Sequence, residues 1–221
     1  MFDTIVEVKV GPELDHSFFL HKGVVTFYSG HFHGALNGNT VEAGKGAVEL
    51  PTEDAATFKR SVKWIYTRRF ETGTLNSAKV FAAICSLWVF ADRRQVPMLA
   101  NAMIDKLRNR VVDRWEVPAT QLCFIYENTT ANAGLRRFAV PVITRACKSD
   151  IVRKRTSRSD WPEDALWDVL GILWELRDKN DTKLMDKDEV AALDMCQYHT
   201  HEDGVRCSKG GKAGGTVGKG V

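Results

Sequence analysis

The chain has little of the continuous hydrophobic sequence that a membrane protein needs. Its longest apolar run, residues 78–91, is interrupted by Lys79 and Ser86 and falls short of the ~20 residues that span a bilayer. The chain also lacks a basic and then apolar start, because its first three residues lead directly into a predicted strand, so we expect no secretory signal. These absences predict a soluble intracellular protein of the cytoplasm or the nucleus, without a membrane partner.

An excess of charge of one sign is also missing. The formal net charge is +3, which is too small to indicate nucleic-acid binding unless the positive charge is concentrated on one face. The cysteine count of five is odd, and Cys85, Cys123 and Cys147 lie in apolar or helix-like segments. We therefore expect buried free thiols in a reducing compartment rather than a disulfide framework.

The sequence offers no convincing catalytic motif. The glycines between residues 34 and 46 lack the strand–glycine–helix context and the Lys-Ser/Thr pair of a phosphate-binding loop. A cysteine nucleophile beside a histidine can be imagined only near the C-terminus, where a Gly-rich tail offers no rigid pocket. We therefore expect that the protein is not an enzyme.

What the sequence does contain is three short strands followed by helices. The first strand is predicted at residues 4–10, where Val6, Val8 and Val10 alternate with polar residues. A second strand is predicted at residues 17–20 and a third at residues 47–50. Between them, residues 21–36 show helical spacing interrupted at Ser29, which predicts two short helices, and residues 37–46 are predicted to form a loop. This order predicts an α+β fold.

Most of the remaining chain is predicted to be helical, with recognisable signals at the helix ends. Thr52 is the predicted N-cap of the first of these helices, and Pro141 is predicted to kink or split the fifth. Asp160 and Glu163 form a capping-box-like start for the last helix. The predicted helices cover residues 52–67, 77–93, 98–114, 119–128, 134–148 and the segment from residue 160, with an exposed polar connection at residues 149–159.

These elements divide the chain into three predicted regions. Residues 1–115 form the α+β domain, and residues 116–195 form a helical extension. Residues 196–221 hold a Cys/His segment and a Gly/Lys tail, which we expect to be disordered from residue 208 because it cannot bury apolar area.

Several pieces of the sequence resemble, in order and spacing, the BTB/POZ domain. They are TIVEVKVG for the opening strand, FFLHKGVVTFYSGHFHGAL for the next strand and a helix pair, AVELPTEDAATFKRSVKWIYT for the third strand and its helix, and LWVFADRRQVPMLANAMIDKL for two closing helices. The resemblance covers residues 4–111 and implies a short three-stranded sheet capped by helices. It also implies a non-catalytic protein–protein interaction module, which is often homodimeric and frequently a substrate adaptor on the cullin scaffold of a ubiquitin ligase.

The resemblance further implies which residues contact partners. By position, the dimer surface of the family falls on the helix pair at Val24, Phe27, Phe32 and Leu36. Phe32 is the leading candidate anchor. Some family members exchange an extra N-terminal helix and strand, which do not precede the match here, so the expected dimer rests on the helix pair alone. Some cullin-binding members place an apolar residue two positions before a Glu in the loop that precedes the third strand. This chain has Glu42 but carries Thr40 at the apolar position, so cullin docking stays open.

The sharpest chemical pattern outside the resemblance lies near the C-terminus. It is Cys196-x2-His199-x-His201-x5-Cys207. Two thiolates and two imidazoles are a usual ligand set for tetrahedral zinc. The His-x-His spacing is unusual for ligands on a helix, although an extended segment would allow it. The alternative is a polar segment whose Cys and His side chains never converge, so no cofactor is expected except zinc at these four residues.

A basic cluster precedes the last predicted helix. Its members are Arg145, Lys148, Arg153, Lys154, Arg155 and Arg158. It has the composition of a nuclear import signal or a nucleic-acid contact, and equally of a solvated linker. No aromatic residue interleaves with the cluster to stack on bases, so a nucleic-acid partner is not expected. The alternative function that this cluster keeps open is a zinc-stabilised nuclear protein that contacts nucleic acid or chromatin partners.

Three tryptophans lie on or beside the last predicted helix. They are Trp161, Trp167 and Trp174. Their large apolar rings are typical of a packed core or an interface, and we expect them to seal the extension against the first domain.

Overall fold

The computed structural model describes residues 4–73, 75–181, 183–201 and 205–207. The tail that the sequence predicts to be disordered lies outside the described residues. Within them, two strands come first, a third strand follows three short helices, and the remaining elements are helical. The predicted α+β fold with a helical extension is confirmed.

The sheet is small and mixed. Strands β1 (Ile5–Val10), β2 (His16–His21) and β3 (Ala47–Leu50) lie in the order β2-β1-β3. The pair of β1 and β2 is antiparallel, and the pair of β1 and β3 is parallel. Val6, Val8 and Val10 on β1 are all buried, because alternate side chains of a strand point to the same face. The sheet therefore buries one face against the helices, as the alternation predicts.

Three helices lie between β2 and β3. The two short helices that the sequence predicts are α1 (Lys22–Tyr28) and α2 (Gly30–Asn37). The prediction of a loop after them is wrong, because α3 (Val41–Lys45) forms within it. Thr40 begins this helix. Its side chain accepts a hydrogen bond from the Ala43 N–H at 3.1 Å and so caps the helix N-terminus. Gly46 ends α3 in the left-handed conformation at φ +63°, which favours glycine.

Three longer helices complete the first predicted domain. They are α4 (Ala55–Thr67), α5 (Ser77–Arg93) and α6 (Pro97–Arg114). The N-cap of α4 is Asp54 rather than the predicted Thr52, because the Asp54 carboxylate accepts hydrogen bonds from the N–H and the hydroxyl of Thr57 at 2.7 and 2.8 Å. Helix α5 is buried on most sides, as its nearly unbroken apolar sequence predicts.

The extension contains five α-helices and three single 3-10 turns among the described residues. The α-helices are α7 (Leu122–Asn128), α8 (Gly134–Ala146), α9 (Ser149–Arg155), α10 (Glu163–Asp178) and α11 (Lys187–Ala191), and the turns are Ala119–Gln121, Arg158–Asp160 and Met195–Tyr198. Helix α8 continues through Pro141 instead of splitting there. Helix α9 replaces the predicted exposed connection, and the capping box of Ser157 and Asp160 belongs to the 3-10 turn before α10.

One hydrophobic core joins these elements. It extends from β1 through α5 and α6 into α7 and α8, and reaches Tyr198. Of the three cysteines expected to be buried, only Cys85 is, whereas Cys123 and Cys147 are half-buried. Burial raises the pKa of the Cys85 thiol to about 12, so this thiol is chemically quiet at neutral pH. In the part of the chain that the structure describes, no helix is long and apolar enough to cross a membrane.

Candidate functional site

Two of the predicted partner-binding residues lie in the core of the chain itself. Phe32 is 2% exposed and Leu36 is 1% exposed, so the prediction that they anchor a partner is wrong. Their helix is held inward at its start, where Ser29 Oγ accepts a hydrogen bond from the Phe32 N–H and donates one to the Arg94 carbonyl at 2.6 Å. The ring of Phe32 then faces that of Phe58, with centroids 6.5 Å apart. Helix α2 therefore packs on α4 and α5 and presents no apolar anchor through these two residues.

Helix α1 is the exposed member of the pair. Phe27 is 76% exposed, and Val24 is half-buried against the core. The ring of Phe27 contacts that of Tyr28 edge-on, with centroids 4.8 Å apart. The guanidinium of Arg68 lies 4.2 Å from the Tyr28 ring centroid, and it reaches Met98 Sδ at 3.9 Å. We call these four residues, Phe27, Tyr28, Arg68 and Met98, the Phe27 surface.

The Phe27 surface is contributed by the ends of three elements. Tyr28 ends α1, Arg68 follows the last residue of α4, and Met98 lies in the first turn of α6. Arg68 holds a left-handed backbone at φ +57°, which turns its side chain across Tyr28 and also across Trp64, with 4.4 Å to the Trp64 ring centroid. No spacing within one helix predicts this surface, because its members are distant in sequence.

The predicted cullin-contact segment is helical. Glu42 and Val41 are both exposed on α3, and Val41 is 68% exposed. Thr40 stands where cullin-binding family members have an apolar side chain, and its hydroxyl is already used twice: it caps Ala43 and donates to the Ala35 carbonyl at 2.5 Å. The threonine therefore begins a helix, and the neighbouring Val41 is the apolar side chain that solvent meets.

The outer face of α10 is the largest departure from the expected burial. Trp167, Leu170 and Trp174 are 57%, 40% and 45% exposed, so the prediction that the tryptophans here seal the extension is wrong for Trp167 and Trp174. They follow one another at helical spacing on the side opposite Ala165, which is fully buried. The inner side packs on α7 and α8, whereas on the outer side Trp167 and Trp174 contact each other edge-on, with ring centroids 6.2 Å apart. We call Trp167, Leu170 and Trp174 the outer α10 face.

A groove borders this face. It has a volume of about 1060 Å³ and lies between α8, α9 and α10. Leu166, Val169 and Leu173 of α10 form one apolar wall, and Ile143 of α8 contributes to another. Lys148, Arg153 and Arg158 also line it, and all three are exposed. The groove is thus apolar with positive charge at its margin.

The basic cluster is partly neutralised within the chain. Arg145 pairs with Asp181 at 3.1 Å, and Arg155 pairs with Glu116 at 3.3 Å. The hydrogen bond from Ser77, followed by those from Arg155, holds the pKa of Glu116 below its usual range despite partial burial. Among the remaining positive charges of the cluster, those of Lys148, Arg153 and Arg158 lie along the groove.

The four Cys and His side chains near the C-terminus converge. His201 Nε2 lies 3.3 Å from Cys196 Sγ and 3.4 Å from Cys207 Sγ, and these three ligand atoms lie within 4.8 Å of one another. His199 Nδ1 joins them at 3.1 Å from Cys207 Sγ. The Cys207 N–H donates to Cys196 Sγ at 3.2 Å. Of the two alternatives that the sequence leaves open, the structure therefore supports convergence.

The cluster is attached to the body of the protein by α6 and α8. Asp105 Oδ1 lies 3.2 Å from His199 Nε2. Asn101, one helical turn earlier, bonds the Thr200 N–H at 2.8 Å and the Thr200 carbonyl at 2.9 Å. On α8, the ring of Phe138 meets that of Tyr198 edge-on with centroids 5.3 Å apart. Sequence reasoning identified the four Cys and His residues as candidates but missed Asp105, because nothing in the sequence places α6 beside this segment.

A buried ion pair was also missed. Arg94 bonds Glu53 through two nitrogens at 3.1 and 2.8 Å, and a third nitrogen lies 3.3 Å from His31 Nε2. Burial lowers the pKa of His31, and the Arg94 charge lowers it further, whereas Glu53 and Glu42 act in the opposite direction. These charges fasten α2 to the end of α5.

Comparison with known proteins agrees with this architecture. Residues 1–107 match the family model described as the BTB/POZ domain, a range that contains the three strands and nearly all of the helices from α1 to α6. The comparison with curated proteins found no match. The BTB/POZ domain is a protein–protein interaction module. Residues 1–107 of the chain are therefore a BTB/POZ domain.

Proposed function

We propose that this protein is an adaptor that recruits another protein through the outer α10 face, while its BTB/POZ domain pairs with a second copy of the chain. The observation that carries the proposal is the exposure of Trp167, Leu170 and Trp174 on the side of α10 that faces away from the core. A surface helix of a globular protein ordinarily turns its apolar side chains to the core and its polar side chains to solvent. The outer face is therefore the part of the molecule for which a covering partner is physically most needed.

The recruited partner is a protein segment with apolar and acidic side chains. Tryptophan is enriched among the residues that dominate binding energy, and burying one large apolar side chain contributes about 1.5–3 kcal/mol. The neighbouring groove adds apolar walls and the charges of Lys148, Arg153 and Arg158. Complementary negative charge on the partner would speed association and fix its orientation.

The surface proposed for self-association is the Phe27 surface. It combines Phe, Tyr, Arg and Met, which are residue types enriched in protein interfaces. It includes the exposed end of the helix pair on which the family resemblance places the dimer contact. Phe27 takes the anchoring role that the sequence assigns to Phe32, with Tyr28, Arg68 and Met98 around it.

Docking on a cullin scaffold is a second candidate function. It is favoured by the exposure of Val41 and Glu42 on α3, at the position where cullin-binding family members make contact. In that case the BTB/POZ domain would hold the ligase scaffold and the extension would hold the substrate. Neither role requires a catalytic group. Nucleic-acid binding is not proposed, because Arg145 and Arg155 already pair with Asp181 and Glu116.

The outer α10 face is tested by capture and then by affinity. The full chain and its Leu170→Asp/Trp174→Asp variant are used to capture proteins from cells, and each protein lost with the variant is purified and titrated. We expect at least a 30-fold (order-of-magnitude) weaker Kd for the variant, because hot-spot truncations typically cost 2 kcal/mol or more.

The cullin candidate is tested by a separate titration. A purified cullin is titrated with the full chain and with its Val41→Asp variant, which changes the exposed apolar side chain of α3.

The matched control is Phe19→Asp. Phe19 is 70% exposed on β2, so the control also replaces an exposed apolar side chain by an acid but does so away from α10. The control is expected to retain the partners that the α10 variant loses. Equal binding by the α10 variant and the unchanged chain would exclude the outer α10 face as the recruiting surface.

A further inference from the structure

We infer that Cys196, His199, His201 and Cys207 bind a zinc ion, which fixes the C-terminal segment to α6. The inference goes beyond the proposed adaptor function and does not depend on it. In the described residues, three of the four side chains form a group whose ligand atoms lie within 4.8 Å of one another, and His199 Nδ1 lies 3.1 Å from Cys207 Sγ. The donor set of two thiolates and two imidazoles is that of tetrahedral zinc sites.

The spacing of the donor atoms suits a zinc ion between them. With Zn–S near 2.3 Å and Zn–N near 2.0–2.1 Å, the sulfur and nitrogen ligands of a tetrahedron lie about 3.5 Å apart. The three N–S separations here are 3.1, 3.3 and 3.4 Å.

The His-x-His spacing follows from the local backbone. His199 has φ −82° and ψ 155°, which is an extended conformation. In an extended segment, residues two apart point to the same side, so His199 and His201 reach one centre, with ring centroids 5.8 Å apart. The 3-10 turn of Met195–Tyr198 brings Cys196 back to the same centre.

Asp105 supplies the support that zinc-bound histidines ordinarily have. Its carboxylate lies 3.2 Å from His199 Nε2, so His199 donates from Nε2 and leaves the Nδ1 lone pair directed at Cys207 and the proposed ion. A carboxylate behind a ligating histidine fixes its tautomer and orientation. The Cys207 N–H also donates a hydrogen bond to Cys196 Sγ at 3.2 Å, which holds these two residues side by side.

Zinc is chosen over other cations by the chemistry of the donors. Magnesium and calcium need oxygen ligands, and iron–sulfur clusters are ordinarily held by four cysteines. Mixed sulfur and imidazole donors in a closed set of four favour zinc in a structural role. Such an ion would hold residues 195–201 and 205–207 together beside α6, where Asn101 already bonds both backbone groups of Thr200.

The test is metal content and ligand identity in the full chain. The protein is purified without a chelator and without a metal-binding tag, and zinc is measured by mass spectrometry. We expect one zinc per chain, lost in Cys196→Ser and in Cys207→Ser and retained in the matched control Cys123→Ser. Cobalt added after zinc removal should give the absorption of a tetrahedral site with thiolate ligands. Asp105→Asn should keep the metal but release it to a competing chelator roughly 10–100 times more readily.

Two results would overturn the inference. One is a folded full-length chain, by circular dichroism, that contains no stoichiometric zinc and gives no thiolate–cobalt band. The other is a disulfide between Cys196 and Cys207 in protein purified under reducing cytoplasmic conditions. Cys207→Ser lies after the last helical element, so circular dichroism of this variant separates loss of metal from loss of fold.

Discussion

At the scale of single residues, Phe27 and Phe32 show what sequence spacing can and cannot distinguish. Both lie at helical spacing in an apolar segment, and the sequence assigned both to one exposed surface. The structure exposes Phe27 and buries Phe32. The difference comes from Ser29, which ends α1, caps α2 and bonds the Arg94 carbonyl of a distant helix. Because Ser29 and Arg94 are 65 positions apart, no periodic pattern in the sequence predicts their contact.

Acidification should weaken the protein through His31. The ordinary pKa of 6.5 is lowered for His31 in the folded chain, first by burial and then by Arg94. The unfolded chain therefore binds the proton more readily, so the stability from the neutral imidazole is complete above pH 6.5 and is lost as the pH falls through the folded value. Protonation would also remove the acceptor that Arg94 contacts at 3.3 Å.

We expect the free energy of unfolding to decrease between about pH 7 and about pH 5, and to decrease less steeply in His31→Gln. Urea unfolding at several pH values measures this slope. His16→Gln, at the exposed start of β2, is the control and should keep the slope of the unchanged chain. An identical slope in His31→Gln would show that this histidine does not couple folding to pH.

At the scale of elements, the sequence predicted the strands and the long helices well. Alternation placed β1 because one face is buried against helices, and the nearly continuous apolar sequence of α5 agreed with its burial. Helices α3 and α9 were missed because they are short and have no buried residue. Helix α10 was predicted as an element, but its apolar residues did not reveal that only its inner side has a neighbour.

Helix α8 lies so close to the Cys/His segment that Gly134, its first residue, has no room for a side chain. A Cβ at Gly134 would lie 2.2 Å from the Tyr198 carbonyl oxygen, so Gly134→Ala must displace the turn before His199. We expect a loss of about 1–3 kcal/mol of unfolding free energy, as for other overpacked sites, measured by thermal and urea unfolding. An unchanged free energy of unfolding in Gly134→Ala would show that the added methyl group fits without a clash, and it would contradict this prediction.

Gly171 provides the matched control for this substitution. It lies within α10, and a Cβ there would meet nothing within 4 Å. Gly171→Ala should therefore stabilise the chain by about 0.5–1 kcal/mol, because glycine within a helix carries an entropic cost. A similar loss at both positions would contradict the close approach of Tyr198 to α8.

At the scale of the whole molecule, the sequence predicted the fold but did not predict the exposed surfaces to which functions are assigned. The order of strands and helices, together with the family resemblance, predicted the BTB/POZ domain that the family model matches over residues 1–107. The division into residues 1–115, 116–195 and 196–221 stays a prediction. One hydrophobic core connects the sheet with α8 and Tyr198, which indicates that the first two regions are packed together. The Phe27 surface and the outer α10 face arise from this packing, so only coordinates reveal them.

The two surfaces have separable roles in the proposed adaptor. The Phe27 surface is assigned to pairing with a second copy, and the outer α10 face to a different protein. Replacing an anchor on one surface should therefore leave the other role intact. Phe27 is 76% exposed, so Phe27→Asp should change stability by no more than about 0.5 kcal/mol. Trp174 contacts Trp167 edge-on, so Trp174→Asp should cost about 0.5–1.5 kcal/mol or more while the chain stays folded.

Sedimentation equilibrium of the full chain and of the Phe27→Asp and Trp174→Asp variants tests this assignment most directly. The account predicts a dimer for the unchanged chain and for Trp174→Asp, and a monomer for Phe27→Asp over the same concentrations. A dimer that persists in Phe27→Asp, or an unchanged chain that stays monomeric throughout, would contradict it.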